Sequence, residues 1–316
     1  MKTISKADFT AALPAGNPNY YAFYSSVLGG LTTDPSLMLV PVDDHVVHRG
    51  DGVFDSGLSV DGRVFNLAGH LDRLFRSAAA VGISVPWSRG ELEEIVSATV
   101  AAGGHPYCAV RIIVSRGPGS MSVAPGDTDG AALYVVTYKP GPCFMERHPD
   151  GGRLVRSEIP AKSPRFATVK SCNYLQNALM KEELRMRGAD FIVSFDSEGF
   201  LAEGPTENAG IVTKDGVLAF PKPEKILAGT TMLRCVEYGA RLVGQGMLRA
   251  VERRDISEAD LLDAAEVLIV GTTTFVVSIR EYEGRTVGGG KPGPVAKALE
   301  KMLFEEMGRK RNPDQA

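Results

Sequence analysis

The spacing of apolar and polar residues predicts short strands and helices in the first half of the chain. Strand patterns run through LMLVPV, through HVVHRGDGVFDSGLSVDGRVFNL on both sides of a turn at Asp61-Gly62, and through YCAVRIIVSRG and AALYVVTYK. Helical spacing that ends at glycine marks GHLDRLFRSAAAVG and SRGELEEIVSATVAAGG. Because strands and helices do not alternate regularly, we expect an α+β domain here.

A second block of elements follows a segment without periodicity, PGPCFMERHPDGG, where proline, glycine and charge are typical of a linker. Strand patterns then return in RLVRSEI, DFIVSFD, FLAEGPTENAGIVTKDGVLAFP and VLIVGTTTFVVSI. Helical patterns mark FATVKSCNYLQNALMKEELRMRG, GTTMLRCVEYGARL and DISEADLLDAAE, the last of which starts with Ser257 and Asp260 in capping-box spacing. We therefore predict an N-terminal domain at residues 1–140, a linker at 141–152 and a C-terminal domain at 153–316.

Composition favours a globular protein that acts on a small ligand. Hydrophobic residues make up 44% of the 316 residues and charged residues 23%, with a net charge of −3 and scattered basic residues, so no binding of nucleic acid or membrane is expected. No stretch approaches the roughly 18 apolar residues of a membrane-spanning helix, and the first 16 residues lack the apolar core of a signal peptide. The four cysteines show no metal-ligand spacing, so we predict no metal site and a cytoplasmic protein with free thiols.

Two charged residues occupy positions that a catalytic role would explain better than a structural role. Lys170 is predicted at the mouth of the FATVKSCNYLQNALMKEELRMRG helix, where the positive end of the helix dipole disfavours a lysine. Glu203, in LAEGPTENAG, follows an apolar run and precedes Gly-Pro. It can therefore be the last residue of a strand, with its carboxylate pointing inward. Each also has an ordinary interpretation, as a lysine at a helix start and a glutamate in a turn, both facing water.

Three further segments carry groups that hold phosphate, namely helix N-terminal amides, threonine hydroxyls or a guanidinium. They are Gly229-Thr230-Thr231 at a predicted helix start, Gly271-Thr272-Thr273-Thr274 between apolar strands, and Arg73 in HLDRL. Taken singly, each is better explained as a helix cap or a solvated arginine. Together with Lys170 and Glu203 they supply an amine, an anion and a phosphate pocket, which are the three anchors of pyridoxal phosphate.

The sequence resembles the class IV (fold-type IV) pyridoxal-phosphate aminotransferases, a family that includes D-amino-acid and branched-chain aminotransferases and aminodeoxychorismate lyase. The matching segments, in the family's order, are HRGDGVFDSG, HLDRL, VKSCNYL, LAEGPTENAGIV, ILAGTTMLR and IVGTTTF. Through HRGDGVFD, FATVKS and AEGP the chain is most similar to the D-amino-acid aminotransferase and aminodeoxychorismate lyase branch of plants. The resemblance implies an α/β protein of two domains, with the cofactor at the domain interface, in a homodimer.

The resemblance also implies a role for each matching residue. Lys170 is the expected catalytic residue, which forms the Schiff base with pyridoxal 5′-phosphate, and Glu203 is the expected partner of the pyridine nitrogen. The other cofactor-binding residues that it implies are Arg73, Tyr174, Leu227, Gly229, Thr230, Thr231, Gly271 and Thr272. Phe54 and Thr273 are expected to contact the substrate.

The anchor of the substrate carboxylate departs from the family pattern. Bacterial D-amino-acid aminotransferases carry an Arg and a His on the loop that reads RGPGSMSVAPGD here, and this loop has neither. Arg111, an arginine in the apolar strand CAVRIIVSRG, is therefore our candidate anchor, with a structural ion pair as the alternative. Phe54 stands where several D-specific relatives have Tyr, which removes one hydroxyl contact.

These features predict an aminotransferase that moves an amino group between an amino acid, with D-amino acids favoured, and a 2-keto acid. Three alternatives remain open. A lyase would use the same lysine to form 4-aminobenzoate and pyruvate from aminodeoxychorismate, and a branched-chain enzyme would take L-amino acids. A non-catalytic binding protein is the third, and the presence of both Lys170 and Glu203 argues against it.

Overall fold

The computed structural model describes residues 16–309 and residues 1, 3, 5, 7 and 8. Most of the N-terminal segment considered above for a signal peptide lies outside these residues. The chain divides into two compact units, Met1–Pro140 and Gly141–Ala316. In the part of the chain that is described, none of the helices combines the length and apolar character needed to cross a membrane.

The first unit is built on an antiparallel sheet of six strands in the order β2-β1-β6-β5-β3-β4. The strands are β1 (Tyr20–Ser25), β2 (Gly30–Thr32), β3 (Gly52–Val60), β4 (Arg63–Val64), β5 (Cys108–Ser115) and β6 (Ala132–Tyr138). Its helices are α1 (His45–Arg49), α2 (Leu67–Ala80) and α3 (Arg89–Gly103), and a 3-10 turn covers Pro35–Leu37. Helices α2 and α3 pack on the sheet, which confirms the predicted α+β class.

Local signals explain where several of these elements begin and end. Asp61 and Gly62 have positive φ angles of 50° and 77°, as the two-residue turn between β3 and β4 requires. Ser88 and Glu91 form the capping box that starts α3. Both features depend on residues close together along the chain, and the turn at Asp61-Gly62 was predicted from the sequence.

One predicted strand and the start of another are wrong. Residues 37–42, LMLVPV, leave the 3-10 turn as irregular chain, and Val42 is 73% exposed. Pro41 has no amide hydrogen to donate to a strand ladder. HVVHR is helix α1, because the Asp44 side chain accepts the Val46 N–H as an N-cap and Gly50 ends the helix with a φ of 63°.

The second unit contains a mixed sheet in the order β11-β10-β9-β12-β13-β7-β8, with β14 paired to β13. The strands are β7 (Gly152–Arg156), β8 (Phe191–Val193), β9 (Asn208–Val212), β10 (Val217–Phe220), β11 (Ala250–Arg253), β12 (Glu266–Gly271), β13 (Phe275–Tyr282) and β14 (Arg285–Thr286). The helices are α4 (Phe144–Arg147), α5 (Pro164–Ala167), α6 (Leu175–Arg187), α7 (Thr230–Gly244), α8 (Glu258–Asp263) and α9 (Pro294–Met307).

Parallel pairs give the second unit its α/β character. Strand β7 is parallel to β8 and to β13, and β10 is parallel to β11. Helices α5 and α6 connect β7 to β8, and α7 connects β10 to β11, as parallel crossovers need. The mixed α/β class predicted for this half is confirmed. Residues 141–152, expected as a linker, include α4 and the first residue of β7.

Candidate active site

Lys170 lies in an irregular segment between two helices. Helix α5 ends at Ala167, and α6 begins at Leu175 with Tyr174 as its N-cap. The predicted helix start at Lys170 is therefore wrong, and a helix dipole does not account for this residue. Lys170 is only 9% exposed, and its Nζ atom lies 6.0 Å from the centroid of the Tyr174 ring. The segment thus places a buried amine beside a phenol, so the interpretation as a lysine in open solvent is wrong.

Glu203 is half-buried, and two amide groups hold one of its carboxylate oxygens. The Leu227 N–H donates to Oε2 over 3.1 Å, and Nδ2 of Asn208 donates to the same oxygen over 3.3 Å. The Glu203 carbonyl accepts hydrogen bonds from the N–H and the hydroxyl of Ser194. These hydrogen bonds hold the Glu203 carboxylate in one orientation, which its interpretation as a turn residue in water does not explain.

Asn208 joins the segments that the sequence singled out. Its Nδ2 atom also donates to the Leu227 carbonyl over 2.9 Å, and Asn208 pairs in register with Val270 near the end of β12. A side chain at Gly229 would collide with it, because a Cβ atom there would lie 1.9 Å from Asn208 Oδ1. The start of β9, the loop that leads into α7 and the end of β12 therefore meet at one asparagine. Sequence reasoning missed Asn208, although an asparagine at the start of the buried strand NAGIV was a usable signal.

Helix α7 begins at this point with the donor set of an anion site. No side chain of the described residues caps it at Gly229, and Thr230 and Thr231 in its first turn are 5% and 8% exposed. The first amides of a helix have no partner inside the helix and carry partial positive charge. The turn after β12 supplies Thr272, which is half-buried, and Thr273, which is exposed. The two Gly-Thr segments selected from the sequence therefore lie near Asn208. One starts α7 beside the Asn208 side chain, and the other follows β12, which pairs with Asn208.

In the first unit, Arg73 belongs to a buried charged cluster. Its Nε and Nη2 atoms donate to the two carboxylate oxygens of Asp55, each over 2.8 Å, and His70 Nδ1 lies 2.7 Å from Asp55 Oδ1. Burial alone would raise the pKa of Asp55, but Arg73 and His70 hold it well below its usual range. Because Arg73 is 5% exposed, the interpretation as a solvated helical arginine is wrong.

Phe54 and Arg111 share one face of the first unit's sheet. The Cζ atom of Arg111 lies 5.1 Å from the centroid of the Phe54 ring, and Arg111 Nε donates to the Ser56 hydroxyl over 3.3 Å. Phe54 is 7% exposed, whereas Arg111 is exposed. Within residues 16–309 no carboxylate forms an ion pair with Arg111, so the alternative of a structural ion pair finds no partner there.

Two other lysines of the second unit differ sharply. Lys162, which sequence reasoning did not select, places Nζ 4.7 Å from the centroid of the Tyr174 ring. Burial lowers the pKa of Lys162, and the negative charge of Glu203 partly opposes this shift. Lys225 forms ion pairs with Asp196, Glu198 and Asp255, which raise its pKa. These ion pairs hold Lys225 as an ammonium ion. Lys162, in contrast, lies near the Tyr174 ring, which Lys170 also approaches.

The chain matches one family model and several curated relatives. The family model described as amino-transferase class IV matches residues 52–282. The chain is 37% identical over 296 residues to the D-amino-acid transaminase, chloroplastic, of Arabidopsis thaliana, which covers 93% of this chain and 79% of that protein. It is 30% identical to a putative branched-chain-amino-acid aminotransferase of Methanocaldococcus jannaschii, over 87% of this chain and 94% of that protein.

The fold has a close match among solved structures. The T.th. branched-chain amino acid aminotransferase with pyridoxamine 5′-phosphate superposes with a TM-score of 0.82 at 26% sequence identity. The superposition covers 96% of this chain and 97% of the other. The similarity therefore extends over both units of the chain.

Proposed function

The chain belongs to the class IV aminotransferases, which are pyridoxal-phosphate enzymes, and we propose that Lys170 and Glu203 carry its reaction. The reaction moves an amino group from an amino acid to a 2-keto acid. The observation that carries the assignment is the hydrogen bond from the Leu227 N–H to the Glu203 carboxylate. Leu227 lies two residues before Gly229, where α7 starts without a side-chain cap among the described residues.

The residues of the second unit fit pyridoxal phosphate. Gly229 leaves the start of α7 clear of a side chain, and a Cβ atom there would displace Asn208. The proposed phosphate ligands in this unit are the amides of Thr230 and Thr272 and the hydroxyls of Thr231 and Thr272, beside Gly229 and Gly271. Leu227 would pack against the ring, and Tyr174 would border it. Arg73 is a further proposed phosphate ligand, on the strength of the family resemblance.

The proposed mechanism divides the work between two side chains. When bound, the cofactor supplies an aldehyde that takes up an amine and a ring that accepts electrons as the Cα–H bond breaks. Lys170 would hold the cofactor through its Nζ amine and, once the amino acid is bound, would accept the proton from the substrate Cα at that atom. The carboxylate of Glu203 would hold a proton on the ring nitrogen, because an anion stabilises the positive charge there.

The proposed donor is a D-amino acid. This choice is supported by the D-amino-acid transaminase of Arabidopsis thaliana, with which the chain shares 37% identity. Phe54, Arg111 and Thr273 are the proposed substrate contacts. A branched-chain L-amino acid is the second candidate, because the archaeal relative and the solved structure carry the branched-chain name. Aminodeoxychorismate lyase activity remains an alternative from the resemblance alone.

A substrate panel decides between these reactions. D-alanine with 2-oxoglutarate should turn over faster than L-leucine with the same acceptor. The reverse order would replace the D-amino-acid assignment with the branched-chain one. Release of pyruvate and 4-aminobenzoate from aminodeoxychorismate, without any keto acid added, would identify the lyase.

We also propose a homodimer in the cytoplasm. Leu175 and Leu179 are 69% and 52% exposed, and large apolar side chains that face water suit a protein partner. Burial raises the pKa of the Cys108 and Cys235 thiols to about 11 and about 12, which fits thiols that stay reduced. Light scattering should give the mass of two chains.

Borohydride reduction tests the assignment of Lys170. The purified protein should be yellow, and reduction should fix the cofactor to the peptide that contains VKSCNYLQNALMK. Mass spectrometry locates the adduct, and Lys170→Arg is the control that should remove it. Burial lowers the pKa of Lys162, so this lysine is the competing amine, and an adduct on Lys162 in the unaltered protein would contradict the assignment.

A further inference from the structure

A pocket lies beside the segment that carries Lys170. Its volume is about 230 Å³. Its lining consists of one cation, one aromatic ring and four neutral polar side chains, which are Lys162, Phe166, Ser163, Ser171, Asn173 and Gln176. No residue of this lining is acidic, so the pocket favours an anion over a cation.

The cation of this pocket and the proposed Schiff-base lysine flank the same ring. Nζ of Lys162 lies 4.7 Å and Nζ of Lys170 lies 6.0 Å from the centroid of Tyr174. The two nitrogens are therefore no farther apart than the sum of these distances. A ligand joined to the cofactor at Lys170 can thus place a second charged group near Lys162 if a few carbon atoms separate its two ends.

The electrostatic setting of Lys162 would change once the cofactor bound as proposed. Lys162 is half-buried, so its ammonium form needs a nearby anion, and Glu203 supplies part of that charge. In the proposed function, Glu203 instead balances the proton on the cofactor's ring nitrogen. A carboxylate that enters the pocket with the substrate would then restore the charge balance around Lys162.

We propose that Lys162 binds the distal carboxylate of a dicarboxylic substrate, which is an amino acid or 2-keto acid of the glutamate and 2-oxoglutarate type. The proposal rests on the proposed roles of Lys170 and Glu203. Hydroxyl and amide groups at Ser171 and Asn173 can share the carboxylate, and the Phe166 ring suits the methylene groups between the two ends. The pocket would make dicarboxylic acids the preferred amino-group acceptors.

The test compares two acceptors on one enzyme. Lys162→Met should raise the KM for 2-oxoglutarate about tenfold to a hundredfold, as expected from loss of a charge-assisted hydrogen bond, and leave the KM for pyruvate nearly unchanged. Lys162→Arg should keep most of the preference, because it retains the charge. Lys214→Met, which removes an exposed lysine paired with Asp263, is the control and should change neither KM. An equal change for both acceptors, or none, would overturn the proposal.

Calorimetry on the cofactor-loaded protein gives a readout that does not need turnover. Glutarate should bind more tightly than butyrate, and Lys162→Met should remove the difference. If the unaltered protein turned over neither keto acid, the proposed function would fail, and calorimetry would still judge the pocket. In that case a glutarate preference that depends on Lys162 supports the pocket as a dicarboxylate site, and equal binding of glutarate and butyrate refutes it.

Discussion

Asp55 in the first unit and Glu203 in the second are both anchored carboxylates, but their anchors differ in kind. Asp55 is fully buried and accepts two hydrogen bonds from the Arg73 guanidinium, with His70 on the same carboxylate. Oε2 of Glu203 accepts hydrogen bonds from the Leu227 amide and the Asn208 side chain. Asp55 pairs with a cation of the fold itself, which ties its charge to stability. The two amide groups orient the Glu203 carboxylate, as its proposed contact with the protonated ring nitrogen requires.

Replacing Asp55 should give the largest loss of stability. Asp55→Asn leaves the Arg73 guanidinium buried without its anion, which costs about 3–5 kcal/mol of unfolding free energy. Denaturant unfolding measures this change. Asp72→Asn, one residue before Arg73, is the matched control, because its pair with Arg89 is exposed and contributes at most about 1 kcal/mol. Similar losses in both variants would contradict the structural role of the buried cluster.

The buried cluster makes Arg73→Ala an ambiguous test of phosphate binding. That variant leaves Asp55 buried without the Arg73 guanidinium, so weaker cofactor binding would reflect misfolding as well as the loss of a phosphate ligand. Arg73→Lys keeps a cation beside Asp55 but lacks the planar fork. Normal folding with reduced cofactor retention in Arg73→Lys would separate the two roles.

Replacing Glu203 should affect the reaction much more than the fold. Glu203→Gln removes the charge and keeps the shape, so we expect turnover to fall about a hundredfold or more while cofactor stays bound. The measurement is kcat together with the absorbance of the bound cofactor. Glu207→Gln is the control from the same turn, where the carboxylate is 8% exposed and bonded to Lys181 and Thr206. Turnover near that of the unaltered protein in Glu203→Gln would return Glu203 to a structural role.

The features predicted correctly from the sequence depend on neighbours along the chain. The capping box of Ser257 and Asp260 spans three residues, and the Asp61-Gly62 hairpin spans two. The pairing of Asp55 with Arg73 joins a strand to a helix, and the sequence carried no sign of it. The contact of Lys162 with Tyr174 depends on how an irregular segment folds back, which no periodicity encodes. The candidate site residues were selected because they stand in short motifs, whereas Asn208, which brings those motifs together, was missed.

The helix predicted at Lys170 failed for a related reason. The segment FATVKSCNYLQNALMK has helical spacing throughout, but the chain interrupts it between Thr168 and Tyr174. Within the interruption, Val169 and Lys170 are buried. Tertiary burial therefore overrode local propensity at the residue to which we assign the Schiff base.

Acid should weaken the first unit through Asp55. Its pKa is depressed in the folded protein, so its contribution to stability is complete above the unfolded pKa of about 4 and is lost as the pH falls below that value. Between pH 5 and pH 3 we expect a loss of about 1 kcal/mol from this group. Thermal unfolding across this range should show a shallower pH dependence in Asp55→Asn than in the unaltered protein. Equal slopes would show that other carboxylates control the acid response.

The smallest effect on stability is expected for a substitution of Arg111, which is exposed and belongs to neither of the two carboxylate sites. Its guanidinium is exposed, stacks on Phe54 and donates to Ser56, and such exposed cation–π contacts contribute about 0.5–1 kcal/mol. Arg111→Lys should therefore leave stability and cofactor affinity almost unchanged. If Arg111 binds the substrate carboxylate as proposed, the same change should raise the KM for the amino acid several-fold, because an ammonium cannot form the two parallel hydrogen bonds of a guanidinium. Ser56→Ala is the matched control, since it removes only the hydroxyl that orients Arg111 and should raise the KM less. An unchanged KM in Arg111→Lys would move the carboxylate anchor to another residue and leave Arg111 as a surface partner of Phe54.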